Sequence, residues 1–303
     1  MQLYILGIVC MLLVLDFPII GTEVVDSFNN CSEVFFKKQP PSFLNGSCLT
    51  GEESYKMICQ VYKNHCRFAT LYDTRHKIPV FSAYKYKGTT DFNLPDNPPA
   101  MVEPQLDPSN DEMGLEYENQ ASTRDFNKSH YVYLFPSSRA ADIDTAESTF
   151  TLTNSVTLNI TTNISIWNEI ENEHKTFMDQ HCRDIDNTRR VLAYVFTGAL
   201  LDRTNTNTKH VKALSHLWTA ICCHHIETNQ WVLKYEVVKN EDNNLRRSTE
   251  GLFQNENFNA SIQLLFNECN TLKKSVFARI RDCLVDFWNR FLGYLRNLRG
   301  GRG

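Results

Sequence analysis

The chain has 303 residues, 42% hydrophobic, 22% charged and 12% aromatic, with a formal net charge of −4. That length buries a substantial core in one large domain or two small ones, and the composition excludes collagen-like and low-complexity architectures. The mild negative charge excludes a global pull toward phosphates, so any contact with nucleic acid has to come from a local basic surface.

Residues 1–22 open with an apolar run from Ile5 to Leu15 and end near the small residues Gly21 and Thr22. The run is too short to span a bilayer, and we read it as a secretory signal peptide, although the usual basic start is missing. Of the 10 cysteines, Cys10 lies in that segment, leaving Cys31, Cys48, Cys59, Cys66, Cys182, Cys222, Cys223, Cys269 and Cys283. In an oxidising compartment most of these pair, and their odd number predicts a free or intermolecular thiol; the pairing stays open. N-x-S/T acceptors at Asn30, Asn45, Asn127, Asn159, Asn163 and Asn259 agree with a secreted, extracellular glycoprotein.

Phe68 to Tyr72 and Val80 to Tyr86 read as two strands around the polar turn Asp73 to Lys77, a β-hairpin. Gly88 to Asn119 is rich in Asp, Asn and Pro and reads as a long irregular segment. Tyr131 to Leu134 predicts a short strand and Thr149 to Asn159 a β-rich turn. Asn163 to Cys182, with apolar Ile166, Ile170, Phe177 and Met178, predicts a helix. Val191 to Leu200, Leu217 to Cys223 and Trp231 to Val238 predict further strands of a mostly antiparallel sheet. Asn240 to Asn259 is polar and reads as a linker. Beyond it, helical spacing from Ile262 to Leu295 with many arginines and lysines predicts a basic amphipathic helix or helix pair, a candidate contact for a membrane surface or a protein. Cys222, Cys223, His224 and His225, with His216 nearby, lack the spacing of known zinc motifs, and the cysteines are better assigned to disulfides.

His130, in the run DFNKSHYVYLFP, is followed by Pro136, then TFTLTN (Thr149 to Asn154), then NISIWNEIE (Asn163 to Glu171). In order and spacing this resembles the DNA/RNA non-specific endonucleases of the ββα-metal class, whose pattern runs D-R-G-H, T-F-x-x-T-N and N-x-x-x-W-x-x-L-E. Cys59 to Tyr86, Val102 to Leu106, Ala193 to Leu200, Ser215 to Cys223 and Lys239 to Asp242 resemble more narrowly the secreted endonuclease domain-containing 1 branch, over roughly residues 55 to 245.

The resemblance implies an α+β fold of the ββα-metal (His-Me finger) type, a mostly antiparallel central sheet flanked by helices. We expect that domain over 23–245, after the signal peptide at 1–22, with a C-terminal helical extension over 246–303. The resemblance further implies metal-dependent hydrolysis of DNA or RNA phosphodiester bonds. His130 would be the general base, Glu171 its catalytic companion, Asn163 and Glu171 the holders of Mg²⁺ (or Mn²⁺) and its waters, and Asn154 a structural support. Glu171 lies eight residues after Asn163, about 80° around the helix axis, so both can face His130 from one helix. Trp167 reads as a core aromatic.

The chain departs from the pattern where D-R-G should stand: it has Asn127, Lys128 and Ser129. Lys128 then offers a flexible point charge to the phosphate in place of arginine's planar fork. Asn127 and Asn163 are also glycosylation acceptors. A second reading stays open: an inactive protein of this fold that binds nucleic acid, a membrane or a protein partner.

Overall fold

The computed structural model describes residues 23–41, 54–95, 98–108, 117–125, 129–159, 162–201, 214–241, 244–247, 265–266 and 269. Of the basic helical extension expected over 246–303 only 246–247, 265–266 and 269 are described, and the signal segment at 1–22 and Lys128 lie outside the described residues.

The strands are β1 (Val24–Val25), β2 (Tyr55–Tyr62), β3 (His65–Asp73), β4 (Ile78–Tyr86), β5 (Ser129–Tyr133), β6 (Ser155–Asn159), β7 (Cys182–Arg183), β8 (Ala193–Leu201), β9 (Leu214–His225), β10 (Gln230–Glu241) and β11 (Asn244–Arg247). Among the described residues two α-helices join them, α1 (Ile143–Ser148) and α2 (Ser165–His181). The large sheet runs β1-β2-β3-β4-β8-β9-β10-β11 with β7 beside β9, and every pair in it is antiparallel. β5 and β6 form a separate antiparallel pair.

Period-two alternation decides which core each strand serves. On β9, Trp218, Ala220 and Cys222 join Phe81 and Ala83 of β4 and Phe196 of β8 on one face. That face is covered by the 3₁₀ segments Phe28–Val34 and Phe36–Lys38, with Leu265 and Phe266. The opposite face carries Phe68, Tyr84, Tyr86, Val195, Ile221 and Cys223 beneath Phe135, Ala146 and Met178. Farther along the same face, Ala199, Leu217 and Val238 meet the β5–β6 pair and α2.

The hairpin expected at 68–86 is β3–β4, and the turn before it is tight as well. Lys63 and Asn64, both at positive φ (49° and 62°), link β2 to β3 in a two-residue loop whose twist matches the strands. The irregular segment 88–119 holds among its described residues a bridge from Met101 to Thr151 and the short 3₁₀ turn Pro104–Leu106.

Two expectations need correcting. The linker reading from Asn240 fails at its start, because β10 extends to Glu241 and β11 folds back on it, pairing Val238 with Arg247. Leu245, buried among Trp167 and Val238, supplies the apolar anchor that the polar composition hid. The helix also begins later than Asn163: α2 starts at Ser165, and Asn163 sits in a bridge with Asn244 ahead of it.

Among the described residues three disulfides close the core: Cys31–Cys59, Cys182–Cys223 and Cys222–Cys269. Cys66 is a free thiol, and burial pushes its pKa up to about 12, which keeps it protonated and unreactive. No helix among the described residues is long and apolar enough to cross a membrane.

Candidate active site

The β5–β6 pair and α2 carry the candidate residues His130 and Glu171. His130 lies in β5 opposite Leu158 of β6. Alternate residues of the pair, Val132, Val156 and Leu158, with Leu134 just beyond β5, are buried against Trp167 and Ile170 of α2. The stripe that α2 buries is Trp167, Ile170, His174 and Met178, spacings of three and four that put one face on the sheet. Trp167 is therefore a core aromatic, and it sets how closely α2 approaches the hairpin.

Asn154 ends the TFTLTN run and is fully buried. Its Oδ1 accepts from Ser82 Oγ at 2.8 Å and from Phe135 N at 3.0 Å, and its Nδ2 donates to Phe135 O and Thr149 O, both at 3.0 Å. All four bonds of the amide are made, so one side chain ties β4 to the exit of β5. The threonines of the same run turn elsewhere. Thr151 and Thr153 both donate to Glu103 Oε1 at 3.2 Å. Glu103 in turn faces Glu23, whose carboxyl is pushed up to about 10, by burial first and by Glu103 second.

Glu171 lies on α2, two turns in. Its Oε1 is buried without a hydrogen bond, and so is Trp167 Nε1 one turn earlier. Burial raises the Glu171 pKa, against the opposing pull of Arg139. Arg139 is itself buried, donating to Tyr84 Oη at 2.8 Å and to the Glu171 carbonyl at 3.0 Å. Beside them opens a cleft of about 290 Å³ lined by Ser138, Arg139, Asn168, Glu171, Asn172 and Lys175. The four helix residues recur at three and four, so one face of α2 forms the wall.

Asn163, two residues before α2, is exposed and accepts from Ser165 N through Oδ1 at 2.9 Å, an Asx turn that opens the helix. It does not stand on the helix with Glu171. Arg139 and Lys175 are the cleft's cations, and neither was anticipated. Lys175 was findable, four residues after Glu171 on the same helix face. Arg139 was not, because its partners Tyr84 and Glu171 are 55 and 32 residues away.

A family model for DNA/RNA non-specific endonucleases matches residues 51–269, a span that takes in both β5–β6 and α2. The chain belongs to the DNA/RNA non-specific endonuclease family. Similar to it are two proteins named Endonuclease domain-containing 1 protein. The one from Mus musculus is 28% identical over 215 residues, 65% of this chain and 39% of the relative. The one from Homo sapiens is 28% identical over 230 residues, 69% of this chain and 41% of the relative. The chain thus spans about two fifths of the length of these curated relatives.

Non-specific endonucleases are generally metal-dependent, and the donor chemistry here is compatible with that. An exposed asparagine oxygen and a carboxylate with an orphaned buried oxygen are hard donors of the kind Mg²⁺ takes. The disulfides fit an oxidising, secretory environment.

Proposed function

We propose that the chain is a secreted endonuclease that hydrolyses phosphodiester bonds of DNA or RNA. The observation that carries this reading is the packing of the strand pair bearing His130 against the helix bearing Glu171, through Val132, Leu158, Trp167 and Ile170. In it His130 takes the proton from the attacking water, and Lys128 contacts the phosphate as a point charge. Asn163 and Glu171 would hold Mg²⁺ or Mn²⁺, and a bound ion would supply charge neutralisation at the phosphate and the leaving oxygen. Asn154 holds the exit of β5 in place, and Arg139 anchors α2 through the Glu171 carbonyl.

Glu171 has to be ionised to serve this way, and burial works against that. The proposed activity accordingly rises from acid toward neutral pH. The experiment is cleavage of plasmid DNA and of RNA by the purified secreted chain with Mg²⁺ or Mn²⁺, beside His130→Ala. We expect cleavage that a chelator abolishes and that falls at least about 100-fold in the variant. Cleavage unchanged in His130→Ala would sink the assignment of the base.

A second reading, an inactive protein that binds nucleic acid or another partner, is favoured by two observations. Asn127, Lys128 and Ser129 replace the family's D-R-G, and Asn163 already spends its oxygen on Ser165 N. No cleavage by either form would support it. Glycopeptide mapping decides a related point, since a sugar on Asn163 excludes metal binding there.

A further inference from the structure

The far end of α2 gathers a different set of ligand atoms. His181 is the last residue of the helix, His225 the last of β9, and Glu227 lies in the turn before β10. One potential ligand atom from each of the three lies within 4.8 Å of the others.

Backbone bonds hold the donors together. Cys182, next to His181, pairs in register with His225, and Ile226 N donates to the His181 carbonyl at 2.8 Å. The Cys182–Cys223 disulfide fixes the same junction covalently. The two imidazoles stack with centroids 5.0 Å apart and planes 8° from parallel, and Phe177 covers them from the helix at 5.5 and 6.2 Å.

Nothing satisfies His181 Nδ1, which is buried and makes no hydrogen bond. It lies 3.7 Å from Glu227 Oε1, too long for a hydrogen bond. It is close to the about 3.4 Å that separates two ligands each 2.0–2.1 Å from a tetrahedral ion. His225 Nδ1 receives Thr228 N–H across 3.4 Å, a long contact that ligation would exchange for a metal bond. Because each imidazole lone pair lies in its ring plane, the stacked rings must tilt toward each other to converge. Both side chains are only partly covered, which leaves room for that motion.

We propose that His181, His225 and Glu227 form a zinc-class transition-metal site that fastens the C-terminal end of α2 to the β9–β10 turn. Two imidazoles and one carboxylate suit Zn²⁺, whereas Mg²⁺ prefers oxygen ligands alone. Three protein ligands leave the fourth tetrahedral position to water. The site is distinct from the cleft, since Glu171 precedes His181 by ten residues, about 15 Å along the helix at 1.5 Å each. Metal bound there stabilises the folded chain by mass action without entering the cleft chemistry.

The test is calorimetric titration of the chelator-dialysed secreted chain with ZnCl₂, in millimolar Mg²⁺ to occupy oxygen-donor sites. We expect one zinc per chain, a thermal midpoint that rises on addition, and affinity at least about tenfold weaker in His181→Gln and His225→Gln. Stoichiometry and affinity unchanged in both variants would overturn the site. A second measurement on the unaltered protein guards against a variant that fails to fold: diethylpyrocarbonate labelling with and without zinc, read by mass spectrometry. Zinc should protect His181 and His225 and leave the exposed His65 reactive. Equal labelling of His181 and His225 in both conditions would also overturn the site.

Discussion

The Asn154 amide shows how much one side chain can organise. Its four hydrogen bonds reach Ser82, Phe135 and Thr149, all buried. Asn154→Ala strands these partners in the core, and we expect a loss of about 3–5 kcal/mol in a urea unfolding titration. Glu23 offers a pH-dependent counterpart. Its folded-state pKa is raised from 4.5 to about 10, so the folded chain keeps a proton that the unfolded chain releases. The stabilisation is full below pH 4.5 and is lost as pH climbs toward 10. Glu23→Gln should therefore flatten the fall in thermal midpoint between pH 5 and pH 9, by a few degrees at the alkaline end. A fall as steep as the wild type's would contradict this. His174 carries the opposite sign. It is buried on α2 with neither ring nitrogen hydrogen-bonded, and Glu236 at 3.5 Å does not offset the burial that lowers its pKa. Its stabilisation is present above the ordinary value of 6.5 and is lost as pH falls through its lowered folded value. Among these residues only Asn154 was legible in the sequence, because it ends a recognisable run. The partners of Glu23 and His174 are distant in the chain, and no local pattern announces them.

At the scale of elements, alternation and helical spacing located β3, β4, β5, β8, β9, β10 and α2, because each buries one face or stripe. The start of α2 was missed by two residues because Asn163 opens it from outside, through its side chain. β11 was missed because three of its four residues are polar and it stands at the sheet's edge, where only Leu245 is buried. One close approach between strands is invisible to any pattern. Gly198 of β8 pairs with Trp218 of β9, and a Cβ at Gly198 would run into the indole ring. Gly198→Ala should cost about 1–3 kcal/mol by chemical denaturation, since the ring is packed among Phe81 and Phe196 and has little room to yield. An unchanged midpoint would mean that the indole moves freely.

For the whole molecule, disulfide bonding was legible from cysteine counting, but the pairing was not. It depends on which strand face each cysteine occupies. The structure sorts them: Cys31–Cys59 and Cys222–Cys269 lie on one side of the sheet and Cys182–Cys223 on the other. Each closes a loop of 28 to 47 residues, for which about 2–4 kcal/mol is usual. Replacing Cys182 and Cys223 together by serine should lower the thermal midpoint by several degrees in scanning calorimetry. It should also loosen α2 at the end away from Glu171.

The adjacency of Cys222 and Cys223 has a consequence for assembly. Neighbouring residues on a strand point to opposite faces, so each sulfur can meet its partner in only one alignment of β9 with β8 and β10. Shifted by a single residue, the strand would present Cys222 to Cys182 and Cys223 to Cys269, with every apolar residue of β9 turned to the wrong layer. Once formed, the two bonds act as a checksum on the alignment of the central strand: a chain that threads β9 one residue out cannot form Cys182–Cys223 together with Cys222–Cys269.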